Sequence, residues 1–117
     1  GALIARNYVY DVRGSGGIAI YLDEGSRYVT VRENVIDRVG GVWLNLNSQD
    51  AITPRRTALD NTATGNWYNS GRLQGNWTAY LGNRAEGNVK VDGQAWPAAA
   101  QAVIDESGVQ PVGDAVK

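Results

Sequence analysis

The 117 residues carry 11 Lys+Arg against 12 Asp+Glu, a formal net charge of −1, with 43% hydrophobic and 20% charged residues. That is the composition of one folded domain. It argues against wholesale disorder, offers no electrostatic grip on nucleic acid or an anionic membrane, and contains no apolar run of the roughly 20 residues that span a bilayer. The sequence has no Cys, His, Met or Phe, so a Cys/His zinc site and a histidine base of the chain's own are excluded. It begins at Gly1 without an initiator Met or a leader segment, and reads as processed or as a piece of something longer.

Taken in chain order, short β-branched segments recur around an asparagine. They are Ile4-Ala5-Arg6-Asn7-Tyr8-Val9, Val31-Arg32-Glu33-Asn34-Val35-Ile36, Ala63-Thr64-Gly65-Asn66-Trp67-Tyr68 and Ala85-Glu86-Gly87-Asn88-Val89-Lys90. The steps from one asparagine to the next are 27, 32 and 22. Between them Gly16-Gly17-Ile18-Ala19-Ile20-Tyr21-Leu22-Asp23 is repeated, at a step of 24, as Gly40-Gly41-Val42-Trp43-Leu44-Asn45-Leu46-Asn47. Alternation bounded by Gly, Asn and Ser is the signature of strands. A variable repeat suggests stacked units with loops of different length. Asn7, Asn34, Asn66 and Asn88 are expected to form a structural ladder, both because asparagine tolerates the left-handed conformation of a sharp corner and because stacked amides bond one another.

Two stretches, 48–57 and 69–78, read as loop insertions. Further on, residues 97–107 read as one helix, with Pro97 in its first turn, Gly108 just past its end, and Ala99, Val103 and Ile104 as its apolar stripe. This helix is expected to cover a flank or the last exposed strand. Trp96 is expected to anchor it, and at least one of Trp67 and Tyr68 to lie in the core. Nothing before Ile4 looks like a cap, so further N-terminal units, on a second chain or a missing segment, are expected to stack on the first strands.

The stretch Gly17-Ile18-Ala19-Ile20-Tyr21-Leu22-Asp23-Glu24-Gly25-Ser26, with Val29-Thr30-Val31-Arg32-Glu33-Asn34-Val35-Ile36, resembles a pattern of the pectate-lyase-like superfamily. Within it the likeness is to bacterial glycoside hydrolases, the group with α-L-fucosidase and xylanase members, and it covers most of residues 1–110. The resemblance implies an all-β fold of right-handed parallel β-helix (solenoid) coils over 1–95, the C-terminal part of a longer solenoid. A capping or flanking helix follows over 96–108, then a tail over 109–117. It also implies a secreted protein acting on oligo- or polysaccharide, without cofactor or metal. Hydrolases of this likeness often carry His near the second Gly-Gly copy, where this chain has Trp43 and Asn45, so the reaction is less well specified than the fold.

Strand alternation places Ile18, Ile20 and Leu22 inward with Val42, Leu44 and Leu46. The same alternation puts Ala19, Tyr21 and Asp23 outward beside Trp43, Asn45 and Asn47. Aromatic rings, amides and a carboxylate on one face have the composition of a sugar-binding groove. Asp23 and Glu24 are the candidate catalytic carboxylates, with Asp50 as another choice of second partner, since glycoside hydrolysis usually takes two. The alternative is that Asp23-Glu24-Gly25-Ser26 is only a turn. Arg55, Arg56 and Arg72 suit a sugar carboxylate or sulfate, or are solvated surface. Trp77, on a Gly/Asn loop, is expected to be exposed to ligand. Three functions stay open: a glycoside hydrolase, a lyase or epimerase on uronate polymers, and a non-catalytic binding module or adhesin.

Overall fold

The structure, a computed structural model, describes residues 1–48, 56–75, 77 and 81–107. Within them are β1 (Leu3–Ala5), β2 (Tyr8–Val12), β3 (Ile18–Leu22), β4 (Thr30–Arg32), β5 (Val35–Val39), β6 (Val42–Leu46), β7 (Thr62–Thr64), β8 (Trp67–Tyr68), β9 (Arg72–Gly75), β10 (Arg84–Ala85), β11 (Val89–Lys90) and one helix, α1 (Ala98–Glu106). Every strand pairing is parallel. Each sheet collects every third strand, in the orders β1-β4-β7-β10, β2-β5-β8-β11 and β3-β6-β9. Parallel neighbours need a crossover between them. Here the two intervening strands of the other sheets provide it.

The repeat read from the asparagines is the repeat of the pairing. Leu3 faces Thr30, Thr30 faces Thr62, and Thr62 faces Arg84, the same steps as along the asparagines. The Gly-Gly copies also stack as their spacing predicts, Ile18 on Val42, Ile20 on Leu44 and Tyr21 on Asn45. One prediction needs correcting: the stretch read as an insertion over 69–78 contains β9, which pairs with β6. Its Arg-Leu-Gln-Gly sequence has no β-branched residue and only one apolar side chain, so neither alternation nor strand propensity marks it.

Ile20, Leu22, Val31, Ile36, Val39, Trp43, Leu44, Leu46, Ala58 and Ala63 form one buried cluster drawn from all three sheets. Trp43 was expected to face outward. It is 2% exposed and lies in this core, stacked on Tyr68 with ring centroids 4.6 Å apart. The register of β6 against β9 also slips between Val42 and Leu44, so Trp43 has no partner on β9. Ala19, in the same register one unit earlier, also packs against the core rather than facing out.

The corners between β1 and β2, β4 and β5, β7 and β8, and β10 and β11 are each turned by a residue with positive φ: Arg6 (56°), Glu33 (56°), Gly65 (66°) and Gly87 (71°). The left-handed position is thus the residue before each asparagine, not the asparagine itself. The asparagine side chain does the bonding that the bent backbone leaves undone. Asn34 Nδ2 donates to Ile4 O (3.0 Å) and Asn66 Nδ2 to Val31 O (3.0 Å). Each Oδ1 accepts both the N–H and the Nδ2 of the preceding asparagine, at 3.0 and 3.0 Å for Asn7 on Asn34, 3.0 and 2.9 Å for Asn34 on Asn66, and 3.1 and 2.8 Å for Asn66 on Asn88.

A second corner follows the same rule. Tyr28, Asp60 and Gly82 have positive φ, and the residues after them are Val29, Asn61 and Asn83. Asn61 Oδ1 accepts Val29 N–H (3.0 Å), and Asn83 Oδ1 accepts the N–H (3.1 Å) and Nδ2 (3.0 Å) of Asn61. The signal for this shorter ladder was its spacing, since the step from Asn61 to Asn83 equals that from Asn66 to Asn88.

The helix lies on the outer face of the β2-β5-β8-β11 sheet, where Ala100 and Val103 pack against Val35 with Tyr8, Trp67, Trp96 and Ile104 around them. Two details of its reading change. Pro97 precedes the helix as its N-cap, with ψ 153° and its carbonyl accepting Gln101 N–H at 2.9 Å. The buried face uses Ala100, while Ala99 is exposed. Ser107 closes the helix by donating its hydroxyl to Ile104 O at 3.0 Å, and Gly108 lies outside the described residues. Among the described residues no helix is long and apolar enough to cross a membrane.

Candidate functional site

The outer face of β3-β6-β9 gathers much of the expected groove. Tyr21, Asn45 and Gln74 stand in one row across the three strands, with Tyr21 48% and Asn45 6% exposed. At the end of the row Asn47 Nδ2 donates to Asp23 Oδ1 at 3.1 Å, while Asn47 N–H donates to Leu22 O at 2.8 Å and keeps the two units in step.

Asp23 is held in a turn as well. Its Oδ1 accepts Glu24 N–H at 2.8 Å, its carbonyl accepts Ser26 N–H at 3.1 Å, and Gly25 has φ 84°, the positive φ that a type II turn demands at its third residue. Turn geometry and a surface carboxylate therefore coexist, because both bonds to the side chain fall on Oδ1. Among the described residues Oδ2 has no hydrogen-bond partner. Glu24 is less free, with Arg56 Nε 3.7 Å from its Oε2.

The structure thus brings together Tyr21, Asp23, Glu24, Asn47 and Arg56, whereas Asn45, expected to face outward, is buried at 6% exposure. Trp43 does not belong to this set, being buried. Nor is Trp77 an open platform. It is half-buried against the core, and its Nε1 donates to Gln74 O at 3.2 Å, so it fastens the chain leaving β9. Arg72 is exposed on β9 and donates Nη2 to Gln74 Oε1 at 3.0 Å. Asp50 and Arg55 lie outside the described residues. Among the described residues no group of three or more acidic side chains is placed to hold a metal ion.

A second polar cluster was not anticipated. Asp37, 4% exposed, accepts Tyr8 OH on Oδ2 (2.7 Å) and Asn69 Nδ2 on Oδ1 (2.7 Å). Arg38 pairs with Asp37 through Nη1 (2.5 Å) and with Asp11 through Nε (2.6 Å). The Arg38 guanidinium holds the Asp11 carboxyl below its ordinary value, while burial, and then the bond to Asp37, push the Tyr8 hydroxyl above its own. The available signal was the step from Asp11 to Arg38, which equals that from Asn7 to Asn34.

The edge of β1, β2 and β3 is open. A cavity of about 960 Å³ lies against it, lined by Ile4, Asn7, Tyr10, Ala19, Ile20 and others, and bounded on one side by the end of α1. No protein-family model, curated protein or solved structure matches the chain.

Proposed function

We propose that the chain forms consecutive coils of a right-handed parallel β-helix and supplies one wall of a polysaccharide site in a secreted glycoside hydrolase. The observation that carries this is the row Tyr21-Asn45-Gln74, exposed at Tyr21 and Gln74 and buried at Asn45, which ends in the Asp23–Asn47 pair. A ring for stacking, amides for hydroxyls and a carboxylate are aligned along a rigid sheet at about 4.8 Å per strand, a spacing that suits an extended glycan. Asp23 is the carboxylate that meets the substrate, through Oδ2. The second carboxylate comes from Glu24 released from Arg56, from Asp50, or from a neighbouring coil.

A further coil of the same design stacks on β1, β2 and β3. The ladder supports this, since every later asparagine Oδ1 in it takes two donors from the coil before and Asn7 Oδ1 takes none among the described residues. So does the exposed side chain of Leu3 (56%), on β1 at that open edge.

One observation favours non-catalytic binding instead: Asp23 is engaged in a turn and Glu24 in an ion pair. Turnover separates the two. Reducing ends released from a neutral polysaccharide, without the ultraviolet absorbance of an unsaturated product, identify a hydrolase; that absorbance identifies a lyase. The Asp23→Asn protein should then lose about 10²–10⁴-fold in kcat. Binding without turnover supports a module, and undiminished turnover by Asp23→Asn removes Asp23 from the chemistry.

A further inference from the structure

We propose that Tyr10, Asp11 and Arg38 form a second glycan subsite, on the outer face of β2-β5-β8 beside α1, which takes a neutral sugar through two adjacent hydroxyls. Asp37 is the buried support. Its two oxygens hold Tyr8 OH, Asn69 Nδ2 and Arg38 Nη1, and Asp11 fixes the guanidinium from the other side through Nε. Arg38 is therefore immobilised although its side chain is 56% exposed. Among the described residues Nη2 of Arg38 and Oδ2 of Asp11 have no partner. They offer one donor and one acceptor, the pattern that two neighbouring hydroxyls complement. Ring stacking with Tyr8, at 4.8 Å between centroids, stiffens Tyr10, which remains 55% exposed beside the pair.

The local charges decide the ligand class. One guanidinium stands between two carboxylates, and Arg13 acts on Asp11 as a second cation, so the group carries no net charge and gives uronates and sulfated sugars no electrostatic advantage. That the ligand is a glycan rests on the function proposed above; the position of the subsite does not.

The test is a glycan array bearing neutral xylo-, gluco- and manno-oligosaccharides beside oligogalacturonate. Wild-type protein should bind neutral oligosaccharide. Tyr10→Ala and Asp11→Asn should each weaken that binding about tenfold, the loss expected for one charge-assisted or aromatic contact. Asparagine tolerates the left-handed corner that Asp11 occupies, φ 55°, so the second variant keeps the backbone. Titration of the wild-type protein with xylohexaose, followed by NMR of the Tyr10 ring and the Arg38 side chain, gives the same answer without a variant. Binding with both variants at wild-type affinity, or without movement of those resonances, overturns the subsite and leaves the Tyr21 face standing. Weakening by Tyr10→Ala and Asp11→Asn but not by Tyr21→Ala supports the subsite and overturns the Tyr21 face. Preference for oligogalacturonate overturns the ligand class, and no binding to any glycan overturns both sites.

Discussion

Asn66 accepts two donors from Asn34, donates two to Asn88, and reaches Val31 O with its amide, all without exposure to water. Replacing it with alanine takes the acceptor from the Asn34 N–H and the amide donor from the Val31 carbonyl, while Asn34 Nδ2 keeps Ile4 O and Arg32 O, at about 1–3 kcal/mol for a buried polar group deprived of its partner. Asn66→Ala should therefore lower unfolding stability by about 3 kcal/mol in urea melts. Asn7→Ala, at the exposed end of the ladder, should cost much less; equal losses would show that the amide bonds do not carry the corners. Two titrating groups report on the second cluster. Tyr8 is raised by burial and by Asp37, so it favours the neutral hydroxyl in the fold. Its contribution is complete below the ordinary tyrosine value of about 10 and is lost as pH rises through the higher folded value. Asp11 is lowered by Arg38, so its contribution is present above the ordinary value of about 4 and is lost as pH falls through the lower folded one. Tm against pH should therefore fall less steeply above about pH 10 for Tyr8→Phe, and less steeply below about pH 4 for Asp11→Asn, than for the wild type. Unchanged slopes would mean that these contacts do not form in solution.

At the scale of elements, the repeat was legible because parallel pairing preserves sequence spacing. The Asn steps of 27, 32 and 22 reappear as strand registers, and the Gly-Gly copies stack without slippage. What the alternation could not reveal was a one-residue bulge. It lies at Trp43, a core side chain stacked on Tyr68 rather than the expected sugar platform, and against β9, a strand whose sequence carries no strand pattern. Asp23, Asn47 and Tyr21 were placed by spacing alone, whereas the Tyr8–Asp37–Arg38 cluster depends on side-chain reach across strands, which no periodicity encodes. Packing predicts two effects at this scale. Gly41→Ala should destabilise by about 1–3 kcal/mol or more, since its Cβ would stand 2.5 Å from the carbonyl oxygens of Gly17 and Ser15. Val103→Ala should cost about 1.5 kcal/mol from lost apolar burial, whereas Glu106→Gln, which breaks an exposed pair with Arg6, should leave the melt unchanged.

Over the whole molecule, three parallel sheets enclose one core, α1 covers the flank of one sheet, and large apolar side chains surface at both ends of the stack. Leu3, Tyr10 and Tyr21 emerge on the first three strands, and Leu73 and Val89 on β9 and β11. Such a stack depends on its neighbours, because each unit buries its face only against the next. In the proposed function, the polar row on β3-β6-β9 is one wall of a groove continued by a further coil on the open edge. The most direct measurement is a crystal structure of the protein soaked with a neutral oligosaccharide that it binds or cleaves. The account predicts a sugar ring on Tyr21, hydroxyls bonded by the amide of Gln74, and a glycosidic oxygen within about 2.6–3.2 Å of Asp23 Oδ2. Oligosaccharide seated elsewhere, with Tyr21 and Asp23 untouched, would contradict it.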